Sequence, residues 1–379
     1  MAEQPSKLDL STSVPYHYGK FPPRQLDYSR LIGPSNAAAA ALGRYDQMLA
    51  NLHNSALLLA PLRRREAIIS SRMEGTVSTL DELLKFEAAQ EEEGEGAATR
   101  YRSEALEVFL YERALRRAQL AIEEGAPISE HLICSAHELL LAHGRGAGKS
   151  PGRYKSEQNF IVGADKGKVL FAPIDPIQLK PSMERLISYA NGDDHDKLLK
   201  TAIAHVEFEA LHPFRDGNGR IGRMLITLML WRDGLISAPH FYVSAYFEEH
   251  KDEYIDAMRR VSAEDGWTDW CVFFLTGLRV QAERNLAIAM EIRALYDEMK
   301  ATFHEALSSQ WHIKALDFVF ERPIFRNNIF RQKSGIPPDT AGRISRILSD
   351  KGLLTTLTPA SGRRPATFAF EPLLKLLRA

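Results

Sequence analysis

The chain has 379 residues, too many for one small module and enough for two or three domains of about 100–200 residues each. Its composition, 45% apolar, 26% charged and 9% aromatic, is that of a globular chain able to bury a sizeable core, which excludes wholesale disorder. Lys and Arg number 48 against 49 for Asp and Glu, so global charge gives no reason to expect a polyanionic partner.

Cys134 and Cys271 stand far apart in apolar stretches with no second ligand at zinc spacing, and are expected as buried structural thiols. The opening residues carry no basic segment followed by an apolar one, and no uncharged apolar run approaches the ~18 residues that span a bilayer. A cytoplasmic protein without membrane contact is the expectation.

The first forty residues, rich in Pro and Gly, read as an arm until Asn36 opens an Ala-rich helical stretch. Helical spacing runs on to about Lys85 with breaks near Asn54 and Thr76, and Thr79-Leu80-Asp81-Glu82 has the form of a helix start. The acidic run from Glu91 to Gly96 reads as a solvated loop. Helices are expected over 103–124 and 129–141, followed by Gly144 to Ser150. That glycine-rich stretch is not a phosphate loop, because His143 stands where the leading Gly is needed and a helix rather than a strand precedes it.

Asn159–Val162 and Lys168–Phe171 alternate around a Gly163–Gly167 turn and predict a hairpin, closed off by Pro173 and Pro176. Helical pattern returns over 181–190, 198–211, 221–231, 251–261 and 269–278, then in a long charged helix to about Leu307. From about Gln310 the character changes: twelve basic and five acidic residues give the tail a surplus of +7. Helices over 325–332 and 339–351 around Gly335-Ile336-Pro337-Pro338, then a hairpin of 353–358 with 366–370, make the order of a winged helix.

The segment with chemistry is His212-Pro213-Phe214-Arg215-Asp216-Gly217-Asn218-Gly219-Arg220-Ile221-Gly222-Arg223, a loop between two helical runs that ends at a helix N-terminus. Such a terminus offers unpaired N–H groups and the positive end of a dipole to an anion. Gly217 and Gly219 permit a nest of inward-turned N–H groups, and Arg220 and Arg223 add guanidinium forks for phosphate oxygens. Asp216 is a hard ligand suited to Mg²⁺ bridging two phosphates. His212, with an unperturbed pKa of ~6.5, is able to take a proton from an attacking hydroxyl. Phe214 anchors the loop. Two other readings of the segment are a merely structural interhelical loop and a metal face from His205, Glu209 and His212, which lacks an HExxH pattern.

The pattern His-x-Phe-x-Asp-Gly-Asn-Gly-Arg-x-x-Arg resembles the Fic family motif at every defined position. The likeness extends to Pro151-Gly152-Arg153-Tyr154 with the following hairpin, which resembles the family's flap, and to the stretch from Tyr246 to Tyr254. Ser70-Ser71-Arg72-Met73-Glu74-Gly75 is similar to the family's inhibitory motif. The resemblance implies a mainly α fold: an N-terminal helical region with the inhibitory helix over 1–100, a Fic core with a β-hairpin flap over 101–280, a linking helix over 281–309 and a winged-helix domain over 310–379.

It further implies a self-inhibited protein adenylyltransferase that uses ATP and Mg²⁺ and moves AMP to Ser, Thr or Tyr hydroxyls of other proteins and of itself. His212 would be the base, Asp216 the metal ligand, Asn218 part of the anion hole, and Arg220 and Arg223 the holders of the β- and γ-phosphates. The other ATP-binding positions it implies are Gly217, Gly219, Ile221, Gly222, Tyr254, Val162 and Gly163, together with Glu74. Glu74, with Ser70, would inhibit by pairing with Arg223, and the flap around 161–169 would clamp the target by strand addition. One departure is Lys155, where the family pattern carries Arg before the flap. Alternatives are removal of AMP from a modified protein, and a DNA-binding regulator with a nucleotide-sensing core, against which the modest basic surplus weighs. A homodimer is compatible with the tail.

Overall fold

The computed structural model describes residues 9–51, 55–93, 103–163, 168–362 and 364–378. The chain forms two compact units, one from the residues up to Asp46 with Arg113–Glu283, the other from Gln47–Glu112 with Arg284–Ala379. Both are mainly helical, each with one three-stranded sheet among the described residues. No described helix is long and apolar enough to cross a membrane.

The first unit is organised around two helices, Lys197–Leu211 and Asn218–Arg232, that pack against each other. Nearly every residue of both is buried, so neither has a solvent stripe and both serve as the central layer. Asp196 caps the first by accepting from the Leu198 N–H at 3.0 Å. Gly222 lets the pair approach closely: a Cβ there would fall on Glu209 Oε1 and lie 3.2 Å from the Phe208 ring. Around them stand Glu130–Leu140, Pro176–Asn191 and Lys251–Glu264, and the start of the 41-residue helix Trp267–Leu307, whose Trp270 donates its indole N–H to Ala202 O at 2.8 Å.

The expected hairpin is present: strands β2 (Ile161–Val162) and β3 (Val169–Ala172) run antiparallel, with Ile161 opposite Phe171 and Val162 opposite Val169. The turn residues 164–167 lie outside the described residues. The sequence did not foresee a third strand, β1 (Val14–Pro15), which pairs in parallel with β3 and gives the order β1-β3-β2. The arm is fixed beyond the strand by Tyr16 and His17, which reach the two oxygens of the fully buried Glu207 at 2.6 and 2.8 Å, and His17 Nδ1 meets Ser262 Oγ at 2.7 Å. The first helix begins at Tyr28 rather than Asn36, with Pro34 inside it. Cys271 is buried as expected, whereas Cys134 is partly exposed.

In the second unit, helix Ser55–Met73 ends at a turn in which Gly75 takes φ 84° and the Gly75 and Thr76 N–H groups donate back to Arg72 O and Ser71 O at 2.9 and 3.0 Å. Helix Leu80–Glu93 opens on a reciprocal cap, Thr79 N–H to Glu82 Oε2 at 2.9 Å and Glu82 N–H to Thr79 Oγ1 at 3.2 Å. Glu91–Glu93 thus closes a helix where a loop was expected, and 94–96 fall outside the described residues. Arg64 donates through Nε to both Glu87 oxygens (3.2 and 3.0 Å) and through Nη1 to Glu321 O at 3.1 Å, tying three helices together.

The tail has helices His312–Glu321, Asn327–Lys333, Pro338–Asp350 and Glu371–Arg378 around an antiparallel sheet β4-β6-β5 of Ile324–Arg326, Thr367–Ala369 and Thr355–Thr358. The two-helix turn and the hairpin follow expectation. Phe325 and Arg326, expected in a helix, instead form β4 opposite Phe368 and Thr367. The core of this unit gathers Phe303, Leu316, Phe320, Phe330, Ile344 and Phe370.

Candidate active site

The 212–217 loop is fixed by its two ends. His212 closes the Lys197–Leu211 helix in the left-handed region (φ 45°, ψ 61°), with its N–H donating to Phe208 O at 3.0 Å. Gly217, at φ 79°, opens Asn218–Arg232. A Cβ at Gly217 would be strained by about 1–2 kcal/mol and would also meet Leu140 at 3.3 Å and His137 at 3.5 Å. The first intrahelical bond is Ile221 N–H to Gly217 O at 3.1 Å, so the N–H groups of Asn218, Gly219 and Arg220 have no intrahelical acceptor and face the loop. Ile221 is buried and anchors this first turn.

Asn218 holds the loop through its side chain: Oδ1 accepts from Phe214 N–H and Nδ2 donates to Phe214 O, both at 2.8 Å. The carboxamide is thus taken by Phe214, and the part of Asn218 that remains for an anion is its backbone N–H. Phe214 is fully buried and stacks on His137, with centroids 3.7 Å apart and planes 7° from parallel. His137 takes the Gly152 N–H on Nδ1 at 2.8 Å and reaches Asp216 O from Nε2 at 2.9 Å. A backbone N–H can only donate and a carbonyl only accept, so this is the neutral Nε2–H tautomer. Burial pushes its pKa down to about 4.

Arg220 is 3% exposed. Its Nη2 donates to Asp216 Oδ1 at 3.3 Å, while Nε and Nη1 have no acceptor among the described residues. A buried guanidinium with donors left unmet is costly, and the arrangement fits an anion bearing several oxygens, such as a phosphate. Asp216 retains 35% of its side-chain exposure, so a carboxylate oxygen stands accessible at the same helix terminus. One such carboxylate, with phosphate oxygens and waters, is how Mg²⁺ is commonly held, so the residues present fit that ion. Arg223 is buried one turn further along. His212 directs Nδ1 at Glu209 O (3.4 Å); a carbonyl only accepts, so the neutral ring carries its proton on Nδ1.

His205 is not a metal ligand. Its Nδ1 donates to Gly222 O at 3.1 Å and its Nε2 accepts from the Tyr254 hydroxyl at 2.7 Å, inside a cluster of Phe247, Trp270 and Phe274. Burial, helped by the Arg223 charge, pushes its pKa down to about 3. Tyr254 accordingly sits in this aromatic core, with its hydroxyl engaged by His205, and not in the 212–223 loop. Val162 lines a mainly apolar cavity of about 120 Å³ beneath the flap with Ile161, Leu170, Val206, Ala210 and Met258, and Gly163 starts the turn by donating to Lys168 O at 3.0 Å. Ser70 and Glu74 stand at the end of helix Ser55–Met73 and just past it, in the other unit.

Residues 127–230 match the model described as Fic/DOC family, and residues 34–120 the one described as Fic/DOC family N-terminal, together about half of the chain. The chain belongs to the Fic/DOC family. A relative in Aquifex aeolicus named "Probable protein adenylyltransferase" is 30% identical over 206 residues, covering 54% of this chain and 56% of that one. The protein adenylyltransferase fic-1 of Caenorhabditis elegans is 30% identical over 112 residues, 28% of this chain and 21% of that protein. A uridine 5′-monophosphate transferase of Xanthomonas campestris is 28% identical over 38% of this chain and 29% of its own. The chain thus spans little more than half the length of these curated relatives, and less for two of them. Among solved structures, a Fic family protein from Desulfovibrio desulfuricans G20 superposes with a TM-score of 0.58 at 21% identity, over 90% of this chain and 95% of that one. Fic-1 of C. elegans (residues 134–508) gives 0.53 at 19%, over 70% and 75%. These two likenesses establish the Fic fold.

Proposed function

We propose that the chain is a protein adenylyltransferase held in check by its own N-terminal helical region. The observation that carries this reading is the buried Arg220, whose Nε and Nη1 have no acceptor among the described residues, beside the Asp216 carboxylate and a helix N-terminus opened by Gly217. Together these form a receptor for a polyphosphate.

ATP would lie with its phosphates over the N–H groups of Asn218, Gly219 and Arg220. Arg220 and Arg223 would take the β- and γ-phosphates, and the nucleoside would extend toward the cavity lined by Val162, with Gly163 next to it in the chain. Mg²⁺ held by Asp216 would supply charge neutralisation across two phosphates. His212 Nε2 would remove the proton from a Ser, Thr or Tyr hydroxyl as its oxygen forms a bond to the α-phosphorus. The bond from that phosphorus to the α,β-bridging oxygen breaks, and pyrophosphate leaves on the arginine forks. Targets would be extended segments of other proteins, or of this chain, added to the flap edge. The family likeness and the adenylyltransferase relatives support nucleotidyl transfer to protein, and the Xanthomonas relative makes UTP the donor to test against ATP.

For inhibition, the Ser70–Gly75 segment carries Glu74, which would occupy the fork of Arg223 and displace the γ-phosphate. The tail would act as a winged-helix module for target docking or self-association, in a cytoplasmic enzyme. Incubation of the protein and its Glu74→Gly variant with each α-labelled nucleoside triphosphate and Mg²⁺ tests the reading. Label on protein from ATP supports it; label from UTP alone would change the donor; no label from any triphosphate, with or without a lysate of protein targets, would overturn it.

A further inference from the structure

Four consecutive carbonyls, from Leu211 to Phe214, run through the turn that carries His212, and all four are held by two residues ahead of the flap. Lys155 Nζ donates to Leu211 O at 3.1 Å, and the Lys155 backbone N–H donates to Pro213 O at 2.8 Å. Nζ also donates to Asn159 Oδ1 at 2.7 Å. That fixes which end of the Asn159 carboxamide is the donor, and its Nδ2 donates to His212 O and Phe214 O, each at 3.1 Å. Lys155 is only 4% exposed, so this ammonium is not a solvated surface charge. It turns back onto the loop, with its ammonium against Leu211 O.

We infer that Lys155 is a positioning residue, acting through Asn159 and the carbonyls of 211–214 to hold the His212 imidazole where it takes the proton of an attacking hydroxyl. His212 is a non-glycine residue at φ 45°, a conformation that a free chain would leave readily. The ammonium at the carbonyl end of the Lys197–Leu211 helix also meets the negative end of that helix's dipole, where a cation is favoured. A plain helix-capping role would account for one of these bonds. It would not account for the relay through Asn159 to the carbonyl of the base itself.

The charge on Lys155 is adjustable. Burial pushes its pKa down to about 7, while the carboxylate of Asp175, ahead of helix Pro176–Asn191, pulls the other way. As pH rises through that value the ammonium is lost and the hold on the loop weakens. His212 must be deprotonated to act, so transfer should rise with pH as the imidazole loses its proton and then fall as the ammonium is lost. The inference rests on His212 being the base of the proposed transfer.

The test measures self-labelling from α-labelled ATP across pH 5.5–9, in the full chain carrying Glu74→Gly, with Lys155 intact, Lys155→Arg and Lys155→Met. Lys155→Met should lower kcat roughly 10–100-fold and leave the KM for ATP within about twofold, since misplacing a catalytic group costs rate rather than binding. Lys155→Arg should recover most of kcat and lose the alkaline fall, because a guanidinium stays charged. A second readout, the NMR resonance of the His212 imidazole Cε1–H, should move in Lys155→Met and also in Asn159→Ala, independently of any activity. If labelling is absent from all variants, the adenylyltransferase reading fails while the resonance still decides the placement. An alkaline limb that persists in Lys155→Arg, or a His212 resonance unmoved in both Lys155→Met and Asn159→Ala, would overturn the inference.

Discussion

Both ends of the Asn218 carboxamide close on the backbone of Phe214, each at 2.8 Å, so one side chain joins the first turn of a helix to the middle of the loop that precedes it. The loop therefore has the shape of a closed ring, with the Asp216 carbonyl tied outward to His137. A ring of this kind presents its N–H groups without rearrangement, the preorganisation on which electrostatic stabilisation of phosphate charge depends.

Asn218→Asp tests the ring. The carboxylate still accepts from Phe214 N–H but places a second acceptor against Phe214 O, a buried mismatch expected to cost about 1–3 kcal/mol. Urea unfolding should show that loss, and calorimetry should show weaker ATP binding. Unchanged values of both would mean that the carboxamide does not set the loop.

Arg220 predicts the opposite balance. Its guanidinium is buried with two nitrogens unmet, so Arg220→Met removes an unsatisfied charge and should leave stability equal or raised by about 1–3 kcal/mol. The same change should weaken ATP and pyrophosphate binding at least tenfold. A variant that unfolds more easily and binds as tightly as the parent would place Arg220 among structural residues.

His205 gives a pH dependence with a definite sign. Its pKa in the folded protein is about 3, below the ~6.5 of an unfolded chain, so between these values the unfolded state binds the extra proton. Stability therefore falls as pH drops from about 6.5, by up to ~1.4 kcal/mol per pH unit from this group, until about pH 3. Gln keeps a donor for Gly222 O and an acceptor for the Tyr254 hydroxyl without titrating, so His205→Gln should reduce the slope of unfolding free energy between pH 5 and 6.5 by about one proton. An equal slope in the variant would show that His205 is not held neutral.

The loop and its flanking helices were legible in the sequence because twelve contiguous residues carry the pattern and the runs on either side have helical period. The supporting residues were not, for a physical reason: His137, Lys155 and Asn159 are isolated polar residues whose partners in the 211–216 loop lie 53 to 79 positions away, as in Asn159 to His212 and His137 to Asp216. Strand β1 escaped for the same reason, since two residues show no alternation and their partners, Phe171 and Ala172, are remote in sequence. At Phe325 the local signal was misleading. Phe325 and Ile329 stand four apart, as on one helix face, yet pairing with Phe368 places the first of them in a strand. The side-chain bonds of Asn218 were likewise not legible, because its spacing reveals that a polar side chain is needed, not whether that side chain faces a ligand or its own backbone.

The last prediction concerns Glu74, which belongs to one unit while Arg223 belongs to the other. Under the proposed self-inhibition, the Glu74 carboxylate occupies the Arg223 fork, ATP binds with its γ-phosphate displaced, and the α-phosphorus is out of line for attack by a hydroxyl that His212 deprotonates. The barrier is then geometric, and misalignment of a bound substrate can withhold several orders of magnitude in rate. Glu74→Gly should raise incorporation of label from α-labelled ATP by roughly 10²-fold or more. Glu74→Gln, nearly the same size but uncharged, should give a partial gain if charge pairing is the cause, and none if bulk is. Arg223→Ala should stay inactive alone and also in combination with Glu74→Gly, because it frees no fork for the γ-phosphate; a double variant as active as Glu74→Gly would remove Arg223 from the mechanism. The same variants incubated with a protein already carrying AMP read the reverse direction: if Glu74→Gly gains no labelling and instead loses AMP removal, the carboxylate directs water to the phosphorus and the chain is an AMP-removing enzyme rather than a restrained transferase.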